Sequence, residues 1–349
     1  MAAKKYLLVW DRMGDYHVAR WRALQQQLGA AQVLAADLAG ADNLYGWIPA
    51  WQDDPHYRRL SDTPAQQPDV QARFAAFARI VRQEGITHLA LAGYGRAEYV
   101  LMALWARMQG CRVTLFAESW YPASSKLKDV LKGMLVSALA HTYLVSGVRA
   151  HRHFTHRLGI SAHRLAIGYS VVDNAHFAAG AGLPKSKTVL CVARFAPEKN
   201  LERLVDAFAQ STLPDLGYTL KLVGGGPLRP QLEALAQRYH WLQLHNWLSY
   251  AELPALYGSA QCFILPSLFE PWGLVVNEAL AAGLPVGTSQ AVGALPDLLG
   301  DDTPLQFSAT DTAGMVRVLE QLIEAPTPPD PRINRFTPDT WATALLGLA

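Results

Sequence analysis

The 349-residue chain is poor in cysteine, in charge and in long apolar runs, and each shortage excludes a class. Its three cysteines, Cys111, Cys191 and Cys262, sit far apart, each in or beside an apolar run: CRVTLF, TVLCVARF and AQCFILP. An odd, scattered set builds no disulfide framework and lacks metal-ligand spacing, so all three are expected as small buried hydrophobes in a reducing cytoplasm. No run of about eighteen uninterrupted apolar residues occurs, so no transmembrane helix is expected. The opening MAAKKYLLVW runs straight into DRMGD, without the apolar core and small-residue cleavage site of a secretory signal. The glycine-rich turns are incomplete as nucleotide signatures. Gly93-Tyr94-Gly95 and GGGPL (224–228) lack the full dinucleotide fingerprint, and no Gly-Lys-Ser/Thr follows to make a P-loop. No nucleic-acid module is recognisable, and nucleic acid is not an expected partner.

What is present is a rhythm. Half of the residues are apolar, and short apolar runs alternate with longer amphipathic stretches, the pattern of βα units on parallel sheets. The first series runs YLLVW, AQVLAA, THLALAG, RVTLFAE and TYLVSG, interrupted by an irregular aromatic segment from Leu44 to about Pro68. Within it, Tyr45 to Trp51 could stack on a sugar or pack beneath a loop. A second series runs TVLCVAR, YTLKLVGG, WLQLHN, QCFILP and LPVGTS. The small, Gly-rich AAGAGLPKSK between them reads as a linker. The expectation is α/β with two doubly wound Rossmann-like domains: 1–178, a linker over 179–187, and 188–326. A Pro-rich bend and last helix (327–349) then pack back on the first domain. Such sheets bind ligands beyond their strands' carboxyl ends, so a cleft between facing domains is the expected site.

Charge divides unevenly. Residues 1–180 hold 20 Lys+Arg against 13 Asp+Glu, a net +7, and residues 181–349 hold 11 against 16, a net −5. The basic half suits an anionic partner such as a membrane surface or a phosphorylated acceptor. SKLKDVLKGMLVSALAH sets Lys126, Lys128 and Lys132 beside Leu127, Val130, Leu131, Met134 and Leu135. A packed helix with a charged face is the favoured reading, and a membrane-surface helix the alternative. His151, His153 and His156 in HRHFTH read as a solvated basic helix, because only the last two share a face.

The most informative stretch is PSLFEPWGLVVNEALAAGLPVG (266–287), which reads as strand end, tight turn, helix, glycine cap and strand. Glu270 falls in the turn and Glu278 in the helix. Gly273 and Leu274 would present free amides of a first helical turn, a cradle for phosphate or sugar oxygens. Carboxylates at both ends of that cradle suit a ligand with hydroxyls flanking a diphosphate. Taken alone, the pair reads as a helix cap and a solvated residue. The upstream loop changes the balance: in VLCVARFAPEKN, Arg194 and Lys199 follow a strand and can flank two phosphates and stabilise a departing diphosphate.

These residues resemble glycosyltransferase family 4, whose hallmark is Glu, seven residues, Glu within P-S-x-x-E-x-[FW]-G-L-x-x-x-E-A-x-A-x-G-x-P-V; PSLFEPWGLVVNEALAAGLPV meets every position. The Arg194/Lys199 loop and GGGPL stand upstream in the family's order, and the resemblance covers essentially the second half. It implies a GT-B fold and a metal-independent glycosyltransferase retaining anomeric configuration. No cofactor is implied; a nucleotide-sugar co-substrate, UDP- or GDP-linked, is the donor, and a glycan or glycolipid the acceptor. The implied setting is bacterial cell-surface polysaccharide or glycoconjugate synthesis; apart from the resemblance, the missing signal and unpaired cysteines make a cytoplasmic enzyme the expectation, and the basic half leaves a peripheral place on an anionic membrane open.

By position, the resemblance gives Arg194 and Lys199 the diphosphate, Glu270 the donor-sugar hydroxyls and reaction geometry, and Glu278 the ribose. Gly273 and Leu274 amides support sugar or phosphate, and Gly14 in DRMGDYH approaches the donor phosphate. Gly225 of GGGPL joins the donor set, and Trp247 and Leu248, in the segment from His245, lie near the base. One departure stands out. Where many members carry a histidine, LFAESWYP offers Glu118, a candidate catalytic residue beside Ser119 and Trp120. Two alternatives stay open: a GT-B hydrolase or phosphorylase using Glu118 and Glu270, and a non-catalytic nucleotide-sugar-binding protein.

Overall fold

The computed structural model describes residues 4–39, 51–64, 67, 69–121, 125–326 and 331–349. Of the aromatic segment from Tyr45, only Trp51 is described, and it is buried; Thr327 to Asp330 of the Pro-rich bend also lie outside the described residues.

The chain divides into two compact units, 1–171 with 338–349, and 172–337. In the first unit, β1 (Tyr6–Trp10), β2 (Val33–Asp37), β3 (Tyr57–Arg59), β4 (His88–Leu91), β5 (Arg112–Ala117), β6 (Thr142–Val145) and β7 (Leu165–Ile167) form one parallel sheet. Their order is β3-β2-β1-β4-β5-β6-β7. In the second, β8 (Thr188–Val192), β9 (Thr219–Val223), β10 (Leu242–His245), β11 (Cys262–Leu265), β12 (Val286–Ser289) and β13 (Gln306–Phe307) are also all parallel, ordered β10-β9-β8-β11-β12-β13. Each sheet steps outward from its first strand and then restarts on that strand's other side, the Rossmann-like switch.

The composition explains the layering. Every residue of β1, β2, β6, β8 and β11 is buried, as parallel strands covered on both faces require. The helix Leu201–Gln210 buries Leu201, Leu204, Val205 and Phe208, a one-face helical stripe. The three cysteines are free and buried within these layers. The short edge strand β3 lies within the segment read as irregular, since three residues are too few to show alternation.

The passage between units lies at Val171–Val172, earlier than the linker expected at 179–187. Residues 174–178 form a helix, and the glycine-rich stretch after it is fitted closely to the second unit. A Cβ on Gly180 would come 1.9 Å from the Pro254 carbonyl oxygen, while the Ser186 amide donates to Ser259 O at 2.8 Å. The small residues therefore permit close backbone approach. The last helix, Pro338–Gly347, belongs to the first unit, where Trp341 packs on Phe116 with ring centroids 5.7 Å apart.

The histidine run departs from a solvated helix. After Val148–Arg152 the chain widens into a π turn, His153–Arg157, that carries His153 into the interior, where burial lowers its pKa. Among the described residues no cluster of three potential metal ligands occurs, and no helix is long and apolar enough to cross a membrane.

Asp37, at the end of β2, gives a pH prediction. Burial pushes its carboxyl up to about 6, against smaller opposing effects from Tyr57, the Met13 amide (3.4 Å), Arg59 and Arg12. The folded chain keeps this proton up to about pH 6, whereas the unfolded chain releases it near the usual value of about 3.9. Stability therefore falls as pH rises through that window and then levels, by up to about 3 kcal/mol. Asp37→Asn is expected to flatten that slope in urea denaturation series between about pH 4 and pH 7.

Candidate functional site

Because all strands of the second sheet are parallel, the loops after β8, β9, β10 and β11 leave from one edge. Nine of the residues singled out in the sequence lie on or just beyond these loops: Arg194, Lys199, Gly225, Trp247, Leu248, Glu270, Gly273, Leu274 and Glu278.

The loop after β8 is pinned at its far end. Asn200 takes a left-handed conformation, the only non-glycine with positive φ among the described residues, and precedes the helix Leu201–Gln210. Its side-chain amide donates to Pro266 O at 3.1 Å and Ala309 O at 2.8 Å. The Leu268 amide donates to Glu198 O at 2.8 Å, a second staple to the loop after β11. Lys199 is held between these staples, its ammonium bonded to the Glu270 carboxylate; the two side chains are 17% and 11% exposed. Arg194 is more open, with its side chain 56% exposed and its guanidinium on Glu198. That bond is the main cause holding the Glu198 carboxyl below its usual range.

The loop after β9 lies flush beneath the first. Phe195 N donates to Gly225 O at 2.8 Å and Leu228 N to Phe195 O at 2.9 Å, while Gly224 N reaches back to His245 O at 3.0 Å. Gly224 has φ 148°, and a Cβ there would stand 2.0 Å from Ala193 O; at Gly225 it would meet the Trp247 indole nitrogen at 3.1 Å. Trp247 remains partly exposed beside this glycine floor.

The loop after β11 carries the carboxylates. Glu270 pairs with Val292 in an isolated parallel bridge and accepts the Gly293 amide at 3.0 Å. Ser267, fully buried, donates to its carboxylate at 3.3 Å. Gly273, with φ 99°, turns the chain into the helix Leu274–Ala281, where a Cβ would press on Leu265, Glu270 and Val292 at 3.2–3.3 Å. The first amides of a helix have no intrahelical carbonyl, so this turn presents donors beside Glu270. Buried Trp272 anchors it, donating to Asn277 Oδ1 at 2.8 Å.

Glu278 is inside the unit, not on a solvated face, and accepts the Tyr257 hydroxyl at 2.6 Å. No local signal marks Tyr257, because it stands 21 residues upstream on another helix. Asn200 had a signal, since Asn after a short turn is a helix-start residue. Removing one partner of a buried charged hydrogen bond costs about 1–3 kcal/mol, so Tyr257→Phe should lower unfolding free energy by that amount in urea titrations.

The remaining two residues belong to the first unit. Gly14 precedes the helix Asp15–Leu28, and its amide donates to His17 Nδ1 at 3.1 Å. Burial, then the charge of Arg20, lowers His17 to about 3, so the ring is a neutral acceptor. Glu118 follows β5 directly and accepts from Ser170 at 2.7 Å; Ser170 in turn meets Ser146 at 2.8 Å. These serines were not singled out in the sequence, being 28 and 52 residues from Glu118.

Residues 174–335 match the family model "Glycosyl transferases group 1", nearly the span of the second unit. The glycogen synthase of Mycobacterium tuberculosis is 28% identical over 188 residues, 51% of this chain and 45% of that protein. The chain thus spans less than half of this relative's length. Across the whole chain, the fold is like the solved apo lipopolysaccharide outer core galactosyltransferase WaaB, with TM-score 0.70 and 15% identity, covering 99% of this chain and 98% of that one. Anabaena Alr3699/HepE in complex with UDP-glucose is similar at TM-score 0.66 and 16% identity, over 99% and 94%.

Proposed function

We propose that this GT-B chain, whose second unit is related to the glycosyl transferases group 1 family, is a retaining glycosyltransferase that moves a sugar from a nucleoside-diphosphate donor to a hydroxyl acceptor. The observation that carries this reading is the Lys199–Glu270 pair, held among strand-end loops with Glu278 close by in sequence on the next helix.

In this reading, Lys199 and Arg194 bind the diphosphate, which takes over charge that Glu270 and Glu198 satisfy in the ligand-free chain. Glu270 then accepts hydrogen bonds from the donor sugar, and Glu278 from the ribose. The amides at Gly273 and Leu274 meet sugar or phosphate oxygens, where a helix start favours negative charge. Gly225 lets the backbone approach the nucleotide, and Trp247 with Leu248 covers the base. In the first unit, Gly14 opens a helix N-terminus to negative charge, and Glu118 orients an acceptor hydroxyl.

The bond from the anomeric carbon to the diphosphate oxygen breaks with its electron pair leaving on the diphosphate. The acceptor oxygen bonds to that carbon on the same face, and its proton passes to the departing phosphate oxygen. Lys199 and Arg194 stabilise the charge that develops there, which lowers the barrier without a metal. A UDP- or GDP-sugar is the donor class, and a bacterial surface glycan or glycolipid the acceptor class this reading carries over from the sequence resemblance.

The test is a thermal-shift and calorimetry screen of UDP, GDP, ADP, CMP and dTDP, followed by turnover with the matching sugar nucleotide. One diphosphate should raise the melting temperature, and Glu278→Ala should blunt the rise. Absence of binding by all five removes the reading; binding followed only by hydrolysis makes the chain a hydrolase.

A further inference from the structure

The helix Lys126–Leu139 is turned the opposite way from the reading the sequence favoured. Its inward face carries Asp129, Gly133, Val136 and Leu139. Asp129 is buried with Arg157 at 4.0 Å, and Gly133 lies so close to the backbone at Leu158 that a Cβ would stand 2.1 Å from Leu158 O. The outward face carries Leu127, Val130, Leu131, Met134 and Leu135, each between 47% and 69% exposed. Their spacing is that of one continuous helical stripe. The helix Ala97–Met108, packed against it, exposes Leu101, Leu104 and Met108 as well. Apolar side chains scattered singly over a surface need no partner, but a stripe of this kind marks an interaction face.

We propose that this face docks on an anionic lipid surface, with the helix lying in the interface and its apolar stripe below the headgroups. Charge argues for that occupant. Exposed Lys126 flanks the stripe on one side and exposed Lys128 on the other, positions from which long amphipathic side chains reach outward to phosphates, while Lys132 turns inward with its ammonium over the Tyr94 ring, 5.3 Å from the centroid. The one acidic residue of the helix, Asp129, points inward. A second copy seated on the same stripe about a two-fold axis would bring these exposed lysines against each other, which disfavours self-association. The proposal concerns the first unit alone and stands independently of the transferase reading.

The experiment is co-sedimentation of the full chain at low salt with vesicles of phosphatidylcholine, or of phosphatidylcholine with phosphatidylglycerol. The variants are Leu131→Glu/Met134→Glu and Lys126→Glu/Lys128→Glu. All four positions are exposed, and unchanged melting temperatures establish that the variants fold. The expected result is binding to the anionic vesicles only, weakened by salt, with each double variant lowering the bound-to-free ratio by about tenfold or more. No binding to anionic vesicles, or equal binding by wild type and variants, overturns the proposal. So does sedimentation-equilibrium dimerisation abolished by Leu131→Glu/Met134→Glu without any vesicle binding, which would assign the stripe to a second copy.

Discussion

Lys199→Ala is expected to reduce kcat by about a hundredfold to a thousandfold, the scale found when one preorganised charge donor is removed from a developing oxyanion. Lys199 is largely enclosed, fixed between the Asn200 bonds and the Leu268–Glu198 staple, with its ammonium on Glu270. Little reorganisation is needed for it to meet charge on a departing diphosphate. Arg194 is far more exposed, so Arg194→Ala should weaken donor binding and raise KM more than it lowers kcat. Lys199→Arg tests charge against shape. It restores the cation but not the compact ammonium, and should recover only part of the lost rate. Steady-state kinetics of all three variants, with near-UV circular dichroism as a folding control, supplies the comparison. A Lys199→Ala enzyme turning over within about threefold of wild type would remove Lys199 from the catalytic role.

Gly224→Ala is expected to destabilise the second unit by about 3 kcal/mol or more, the upper range for forced overpacking. At this position a methyl meets backbone: Ala193 O at 2.0 Å and its carbon at 3.0 Å, with φ at 148°. No flexible side chain can yield, so the loops after β8 and β9 must part, and they carry Arg194 and Gly225. Gly95 supplies the comparison, since nothing lies within 4 Å of a Cβ built there. Gly95→Ala should change stability by less than about 0.5 kcal/mol. Urea denaturation of both variants decides the matter. Equal midpoints would mean that the triple-glycine loop has slack that its hydrogen bonds conceal.

The second unit was the more legible half. Five of its six strands were visible as apolar runs, the two-residue β13 being too short to show one, and Glu270 through Glu278 were visible because one contiguous segment carries the turn, the glycine and the helix. Interactions between distant segments were not legible. Tyr257 bonds Glu278 from another helix, and Ser146 joins Glu118 through Ser170, contacts that only the tertiary fold creates. The Gly-rich stretch around 180 had the composition of a flexible connector, and composition does not distinguish slack from close approach. The helix Lys126–Leu139 failed for a related reason. It has apolar residues on opposite sides, Val136 and Leu139 on one and the Leu127 stripe on the other, so periodicity leaves the inward side undetermined. Gly133 and Asp129 decide it, through a close backbone approach and a buried charge.

The Asn200 side chain has a consequence for how this sequence can be recombined. One amide group ties together three stretches remote in the chain, around positions 200, 266 and 309. Loop exchange with a relative is ordinarily tolerated one segment at a time, because connecting loops vary independently of their scaffold. Here the three stretches form a single heritable block. A donor loop grafted after β8 without this asparagine would leave two main-chain carbonyls without their shared donor and release the residue next to Lys199, so a working chimera must keep Asn200 or exchange all three stretches together.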